Sequence, residues 1–266
     1  MATANNTLQP VLERGWQRGF GNLFRNENSL RWGRNRWIIS ALIWLAILNG
    51  FIFLVAYGEA DGGRSTPAEI AAECLSIFMT FSTIATAVGV VTGVQGAIIR
   101  EKQMGTAAWV LSKPASRSAF VLAKMLSHSL AFLSLPLILP SLVFYGQSQM
   151  LWSQTPSLSP FLTGWLVMAL HMLFYLSFTL MLGTLFNARG PVSAIGLGLL
   201  FGGLVLSNIL PGWLTLIFPW KLSELAPLLA LEQPLPPIWP IPVIATAVWT
   251  VVFIAIALWR FGREEF

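Results

Sequence analysis

The chain has 266 residues, of which 55% are hydrophobic and only 10% charged, and its mean hydropathy is +0.69. Soluble domains carry about 25% charged residues, so the composition excludes an ordinary soluble protein and predicts an all-α integral membrane protein. The sequence pI near 9.9 would fit nucleic-acid binding. The charges, however, flank apolar segments and form no basic domain, so we expect no nucleic-acid partner.

Residues 1–36 are predicted to form a cytoplasmic N-terminal segment. Apolar side chains recur after Pro10 at three- and four-residue spacing, with arginines on the other side, which favours an amphipathic helix lying in the membrane interface. A short soluble helix is the alternative, and Asn26–Arg36 would link either one to the membrane. This segment holds no apolar core of a signal peptide, so we expect the first span to be retained. The apolar positions are Leu12, Trp16, Phe20, Leu23 and Phe24, and the arginines are Arg14, Arg18 and Arg25.

Residues 37–260 are predicted to form a six-span transmembrane domain, followed by a cytoplasmic tail at 261–266. A helical span needs roughly 20 apolar residues. The second span is longer than a straight crossing requires, so we expect it to tilt or project. Pro136 and Pro140 should kink or end the third span near its outer side. The spans are Trp37–Tyr57, Glu69–Ile98, Ala119–Tyr145, Phe161–Phe186, Pro191–Leu210 and Ile241–Trp259.

Short connections join most spans, but one outer loop, Pro211–Pro240, is long and rich in proline and tryptophan. Within it, Leu222–Leu231 is predicted to form an apolar helix capped by Ser223 or a neighbour. The loop would dip into the outer leaflet or lie along it. A plain structured loop is the alternative.

The distribution of positive charge predicts the orientation. Of the 16 lysines and arginines, all but Arg64 and Lys221 fall in segments on one side of the six spans. Cytoplasmic segments are enriched in these residues, so both termini are predicted to lie in the cytoplasm. We therefore expect a multi-pass protein of the plasma membrane.

Few polar groups lie inside the spans, and they do not suggest an enzyme. His171 is the one titratable residue predicted near mid-membrane, where a helix-packing role is the more common one. Lys124 and His128 share a face near the inner end of the third span, where snorkelling would suffice. The single cysteine, Cys74, excludes a cysteine-based metal cluster. No zinc-protease, nucleophile-elbow or phosphate-loop motif is present, so we predict no catalytic residue, no metal site and no cofactor on this chain.

Small and weakly polar residues mark the second and fifth spans. Both carry small residues four apart, a spacing that lets helices approach closely. Tight packing is one explanation, and a translocation pathway or dimer seam that opens for an amphipathic substrate is the other. The residues concerned are Thr83, Thr86, Gly89 and Gly93 on the second span and Gly198 and Gly202 on the fifth.

A long charged insert, Ile98–Lys124, separates the second and third spans. A simple reversal of the chain would need only a few residues. This insert instead contains a Gly-Thr pair, a Lys-Pro break and an apolar patch around Trp109. These features indicate a docking element on the cytoplasmic side.

The insert resembles the first cytoplasmic loop of type-2 ABC exporter permeases. The pattern is an acidic-basic cluster, Gly-Thr, a few apolar residues, Ser-x-Pro-x-Ser-Arg and a lysine in the next span. It is matched by Glu101, Gly105, Thr106, Ser112, Pro114, Ser116, Arg117 and Lys124. The basic N-terminal helix and the six spans extend the resemblance over the whole chain. Family members often carry an acidic residue after Gly-Thr, where Ala107 and Ala108 stand here.

The resemblance implies a permease subunit without ATPase activity of its own. Two permease chains, identical or different, would form the pathway, and each would dock a separate ATPase that binds ATP and magnesium. A short coupling helix around Glu101–Leu111 would enter a groove of the ATPase, with Trp109 as its anchor and a polar rim at Arg100–Lys102. The implied coupling residues are Arg100, Glu101, Lys102, Gly105, Thr106, Trp109, Leu111, Ser112, Pro114 and Arg117.

A second function remains open at this point. The chain would be a membrane scaffold or an intramembrane enzyme whose cytoplasmic loop recruits another partner. A neighbouring reading frame that encodes an ATPase without membrane spans would favour the permease. The substrate cannot be read from pathway walls of glycine, threonine and serine.

Overall fold

A computed structural model describes residues 14–33, 35–62, 66–207 and 209–264, except for the side chains of residues 59–62, 108 and 111. The described residues form α-helices, two short 3₁₀-helices and one π-helical turn, and contain no strand. The α-helices are α1 (Phe20–Trp32), α2 (Arg36–Gly62), α3 (Pro67–Val94), α4 (Ile99–Gln103), α5 (Thr106–Leu111), α6 (Arg117–Phe132), α7 (Leu139–Trp152), α8 (Leu158–Leu185), α9 (Arg189–Leu206), α10 (Gly212–Thr215), α11 (Leu222–Ala230) and α12 (Pro240–Gly262).

Six helices in the described ranges are long and apolar enough to cross a membrane. They confirm the predicted all-helical fold and the number of spans, with ends that differ from the prediction by a few residues. The second candidate span continues for 37 residues, from the start of α3 to the end of α4. The six are Arg36–Gly58, Pro67–Gln103, Arg117–Trp152, Leu158–Leu185, Arg189–Leu206 and Pro240–Gly262.

Helix α8 lies at the centre of the bundle. It packs against α3, α11 and α12, and it is by far the most buried of the six candidate spans. Phe174 and Tyr175 are completely buried in it, and the Phe174 ring meets Phe253 of α12 edge-on with centroids 5.4 Å apart. Between helices surrounded by lipid, such close packing supplies most of the association energy.

Prolines do not end the third span. Pro136 lies inside a π-helical turn, Leu133–Ile138, after which α7 continues to Trp152. A proline lacks an N–H and cannot complete the regular ladder, and a wider turn accommodates that gap. The Asn49 amide donates to the Pro140 carbonyl at 3.0 Å, which ties α2 to this region.

The N-terminal helix differs from its prediction. Pro10 and Leu12 lie outside the described residues. Among the residues that the structure describes, α1 begins at Phe20, directly after Gly19, whose φ is 78°. The helix then runs through much of the stretch that was expected to be a linker. This stretch is held against α6, because Glu27 pairs with Lys124 and Arg31 bonds to Ser127.

The outer loop is folded against the bundle. The predicted apolar helix is confirmed as α11, but Ser223 is not its cap: its hydroxyl donates to the Trp220 carbonyl at 2.9 Å. Helix α11 packs on α3 and α8, where Gly164 allows close contact. A Cβ added at Gly164 would stand 2.6 Å from the Ala226 carbonyl oxygen.

Replacing Gly164 with alanine should therefore destabilise the bundle. The new methyl group would press on backbone, so we expect a loss of about 1–3 kcal/mol, typical of overpacking. The measurement is thermal unfolding in detergent, followed by size-exclusion chromatography. Gly146→Ala is the matched control, because nothing lies within 4 Å of its added Cβ. Equal melting temperatures for the two variants would contradict the close α8–α11 contact.

Candidate functional site

The charged insert folds as two short helices and not as the single coupling helix that the sequence predicted. Helices α4 and α5 are separated at Met104–Gly105, where Gly105 has φ of 68°. This left-handed conformation favours glycine and interrupts an α-helix. Helices α4 and α5 carry most of the predicted coupling residues, Ser112 and Pro114 follow in the turn, and Arg117 begins α6.

One buried ion cluster holds the insert against two other elements. The Lys124 ammonium of α6 donates to Glu27 of α1 at 2.6 Å and also pairs with Glu101 of α4. The Lys124 side chain is only 4% exposed, so the expectation that it snorkels to solvent is wrong. A charge in so dry a place needs partners, and here two carboxylates supply them.

Polar contacts extend this cluster along α1 and α6. The Arg31 guanidinium donates to the Ser127 hydroxyl at 3.1 Å and to the His128 ring. The His128 Nδ1 in turn lies 2.7 Å from the Lys124 carbonyl oxygen. Burial lowers the pKa of Arg31, while the charge of Glu27 acts in the opposite direction. Helix α1 is thus attached to α6 by several charge-assisted bonds.

A second set of contacts joins the insert to the end of α12. Lys102 pairs with Glu264 at 2.8 Å, and Glu264 also pairs with Arg260 at 3.0 Å. The Arg117 guanidinium donates to the Gly262 carbonyl at 2.7 Å. Lys102 and Glu101 therefore point inward, and of the three residues expected to form a polar rim only Arg100 is exposed.

Ser116 joins the insert to the N-terminal segment. Its hydroxyl accepts from the Ala119 N–H at 3.0 Å, as an N-cap of α6 should. The same hydroxyl donates to the Trp16 carbonyl, and the Ser116 N–H donates to the Arg18 carbonyl at 2.8 Å. The second serine of the Ser-x-Pro-x-Ser-Arg pattern, Ser116, thus caps the start of α6 and also holds the N-terminal segment.

Apolar side chains remain exposed on the outer face of the insert. Met104 is 66% exposed and Trp109 is 65% exposed, with the Lys113 ammonium 5.2 Å from the Trp109 ring centroid. Ala107 is fully buried. An acidic side chain at that position would be buried, and a buried charge is costly unless it is paired, so alanine suits this position.

The predicted seam residues fall into two groups that face different ways. Thr83 and Thr86 are buried inside the chain. Added Cβ atoms at Gly89 and Gly93 would meet Trp44 of α2 and Phe132 of α6, at 2.5 Å and 3.3 Å. Gly198 and Gly202 of α9 instead have open space around their added Cβ positions. The structure does not bring the two glycine pairs together within one chain.

A protein family described as "Protein of unknown function (DUF2705)" matches residues 37–266, which include the whole insert and, apart from Arg36, all six candidate spans. The chain belongs to this family. No curated protein matches the sequence.

The sequence did not reveal the partners of Lys124 in this DUF2705 family member. Glu27 lies 97 residues from Lys124 along the chain, so no local pattern links them. A weak signal exists nevertheless: Glu27 and Arg31 share one face of α1, and Lys124 and His128 share one face of α6. Pairing these two charged faces would have predicted the contact between α1 and α6.

Replacing Lys124 with methionine should strongly destabilise the charged end of the bundle. The substitution leaves two carboxylates without a counter-charge, and removing one partner of a buried ion pair costs about 3–5 kcal/mol. Thermal unfolding in detergent measures the loss. Adding Glu27→Gln and Glu101→Gln to the same chain should recover much of it, because the uncompensated charges are then gone.

Lys113→Met removes an exposed lysine of the same insert and serves as the control. It should change the melting temperature little, since exposed charges contribute little to stability. A Lys124→Met protein as stable as the control would contradict the role of the ion cluster.

Proposed function

We propose that the chain is the permease subunit of an ABC exporter and that the insert docks a separate ATPase, which binds ATP and magnesium. The observation that carries this proposal is the exposed side chain of Trp109 on α5, outside the six candidate spans, in an insert whose Met104 is exposed as well. A large aromatic side chain that is left mostly exposed is typical of an interface anchor. The resemblance of the insert to permease coupling loops supports the same function.

The contacts that attach the insert to the spans suit it to transmit force. Helix α4 continues the second candidate span, Glu101 ties it to α6 through Lys124, and Lys102 ties it to α12 through Glu264. Gln103 also donates to the Asn187 carbonyl at 2.8 Å, in the turn between α8 and α9. A push on α5 would therefore reach several spans together, as rigid-body mechanisms require.

The ion pairs change which residues should touch the ATPase. Glu101 and Lys102 act as struts within the chain, and the docking surface consists of the exposed outer face of the insert. Gly105 permits the sharp turn that presents this face. The exposed residues of the surface are Met104, Gly105, Thr106, Trp109, Ser112, Lys113 and Pro114.

In this proposal the chain lies in the plasma membrane, and the charged end of its bundle faces the cytoplasm. Five of the basic residues assigned to that side, Arg31, Arg36, Arg100, Lys124 and Arg189, line one cavity, whereas Lys221 lines a separate pocket of the outer loop. Leu30 and Trp16, each 58% exposed, would let the N-terminal segment lie in the membrane interface. A second permease chain, identical or not, would pack on α9 across Gly198 and Gly202, where small residues leave open space.

Trp109→Ala should release the ATPase. An anchoring aromatic residue contributes about 2 kcal/mol or more to an interface, so affinity should fall roughly 30-fold. The measurement is co-purification in detergent, followed by titration, with the ATPase without membrane spans that the proposal expects a neighbouring reading frame to encode. Trp213→Ala is the matched control, because Trp213 is 69% exposed but belongs to the outer loop.

An equal yield of ATPase with both variants would overturn the docking assignment. Recovery of a different protein through the insert, with no ATPase bound to the unmodified chain, would support the membrane scaffold instead. Both variants should insert and elute as the unmodified protein does, because both side chains are exposed.

A further inference from the structure

A charged cavity opens beside the ion cluster at the same end of the bundle. Its volume is about 390 Å³, and α1, α2, α3, α4, α6 and the start of α9 line it. Five of its lining residues are cationic and two are acidic. The cationic residues are Arg31, Arg36, Arg100, Lys124 and Arg189. A cavity with this excess concentrates anions.

The two acidic residues balance only two of the five positive charges, those of Lys124 and of Arg31, on which the charge of Glu27 also acts. Glu27 and Glu101 both pair with Lys124, and Arg31 is held by Ser127 and His128. Three cationic side chains are left, and they are exposed: Arg36, Arg100 and Arg189. None of the three has a hydrogen bond or an ion pair with the part of the chain that the structure describes.

Two of these arginines converge above Gly96. A Cβ added at Gly96 would lie 3.0 Å from the Arg189 Nε and 3.4 Å from the Arg100 Nε. The missing side chain therefore gives space for two like charges to approach from α4 and α9. Like charges so close repel each other unless an anion lies between them. Guanidinium groups are well suited to hold a phosphate through paired N–H donors.

An apolar groove continues from the charged cavity along the spans. It has a volume of about 250 Å³ and shares Leu30, Arg31, Arg36 and Gly93 with the cavity. Its other walls are mainly apolar and come from α2, α6 and the π-helical turn: Trp37, Ser40, Trp44, Phe132, Leu135 and Pro136. Arg36 thus lies where the charged cavity meets the apolar groove.

We propose that this composite site binds an anionic phospholipid. Its phosphate would lie between Arg36, Arg100 and Arg189, and one acyl chain would follow the groove past Trp44 and Phe132. Basic pockets between helices near a membrane surface recognise lipid headgroups in this way. A free anion would bind only in the charged cavity, and a neutral lipid would bind only in the apolar groove. The site does not depend on whether an ATPase docks at Trp109.

The experiment uses the full chain in a neutral detergent with phosphatidylglycerol as the probe. Native mass spectrometry measures how much of this lipid stays bound, against phosphatidylcholine with the same acyl chains. We expect phosphatidylglycerol to be retained selectively. Arg100→Gln combined with Arg189→Gln should weaken its binding about tenfold or more, because both charges contribute.

Lys113→Gln combined with Arg263→Gln is the matched control. It removes two positive charges from the same end, but neither residue lines the cavity. Ser40→Trp tests the other half of the site, because the new ring would fill the groove and leave every charge in place. It should reduce lipid binding and leave binding of inorganic phosphate unchanged.

Three results would overturn the proposal. Equal retention of the two lipids would exclude headgroup recognition. Inorganic phosphate that binds as tightly as the lipid, with no effect of Ser40→Trp, would mean a free-anion site. Equal losses in the cavity variant and in the charge-matched control would mean a general surface attraction only.

Discussion

The buried ammonium of Lys124 is the constraint on which the charged end of the protein depends. It holds Glu27 and Glu101, which come from elements far apart in the chain, in one place with very little water. Each carboxylate would be costly there without it. Helix α1, with 13 residues, is too short to be stable alone, and its attachment to α6 supplies what its sequence lacks. The N-terminal helix, the insert and the third span therefore behave as one unit.

The same pairing shapes the surroundings of the cluster. Lys124 and Arg31 balance the two acids of the cavity, so the charges of Arg36, Arg100 and Arg189 around them are left in excess. A rigid mount for the insert and an excess of positive charge beside it are thus two results of one arrangement. Net charge alone, +5 for the whole chain, would not distinguish this arrangement from basic residues spread evenly over one end of the bundle.

Properties that depend on adjacent residues could be predicted from the sequence, and those that depend on distant ones could not. Apolar runs gave six spans, since hydropathy over about 20 residues decides insertion. The inward orientation of Lys102 could not be foreseen, because its partner Glu264 lies at the far end of the chain. The break at Gly105 does not follow from the Gly-Thr pair either. A glycine can occupy helical or left-handed backbone conformations, and only the packing of α4 and α5 selects the left-handed one here.

The two glycine pairs show what residue spacing alone can predict about contacts between helices. Gly89 and Gly93 have the same spacing as Gly198 and Gly202, and the spacing states only that a helix face is smooth. On α3 that face is taken by Trp44 and Phe132, the rings that also line the apolar groove. On α9 it is open. A small-residue face on α3 is therefore covered within the chain, whereas the described part of the chain leaves the equivalent face on α9 uncovered. Only the neighbours of each helix, which no residue spacing specifies, separate the two roles.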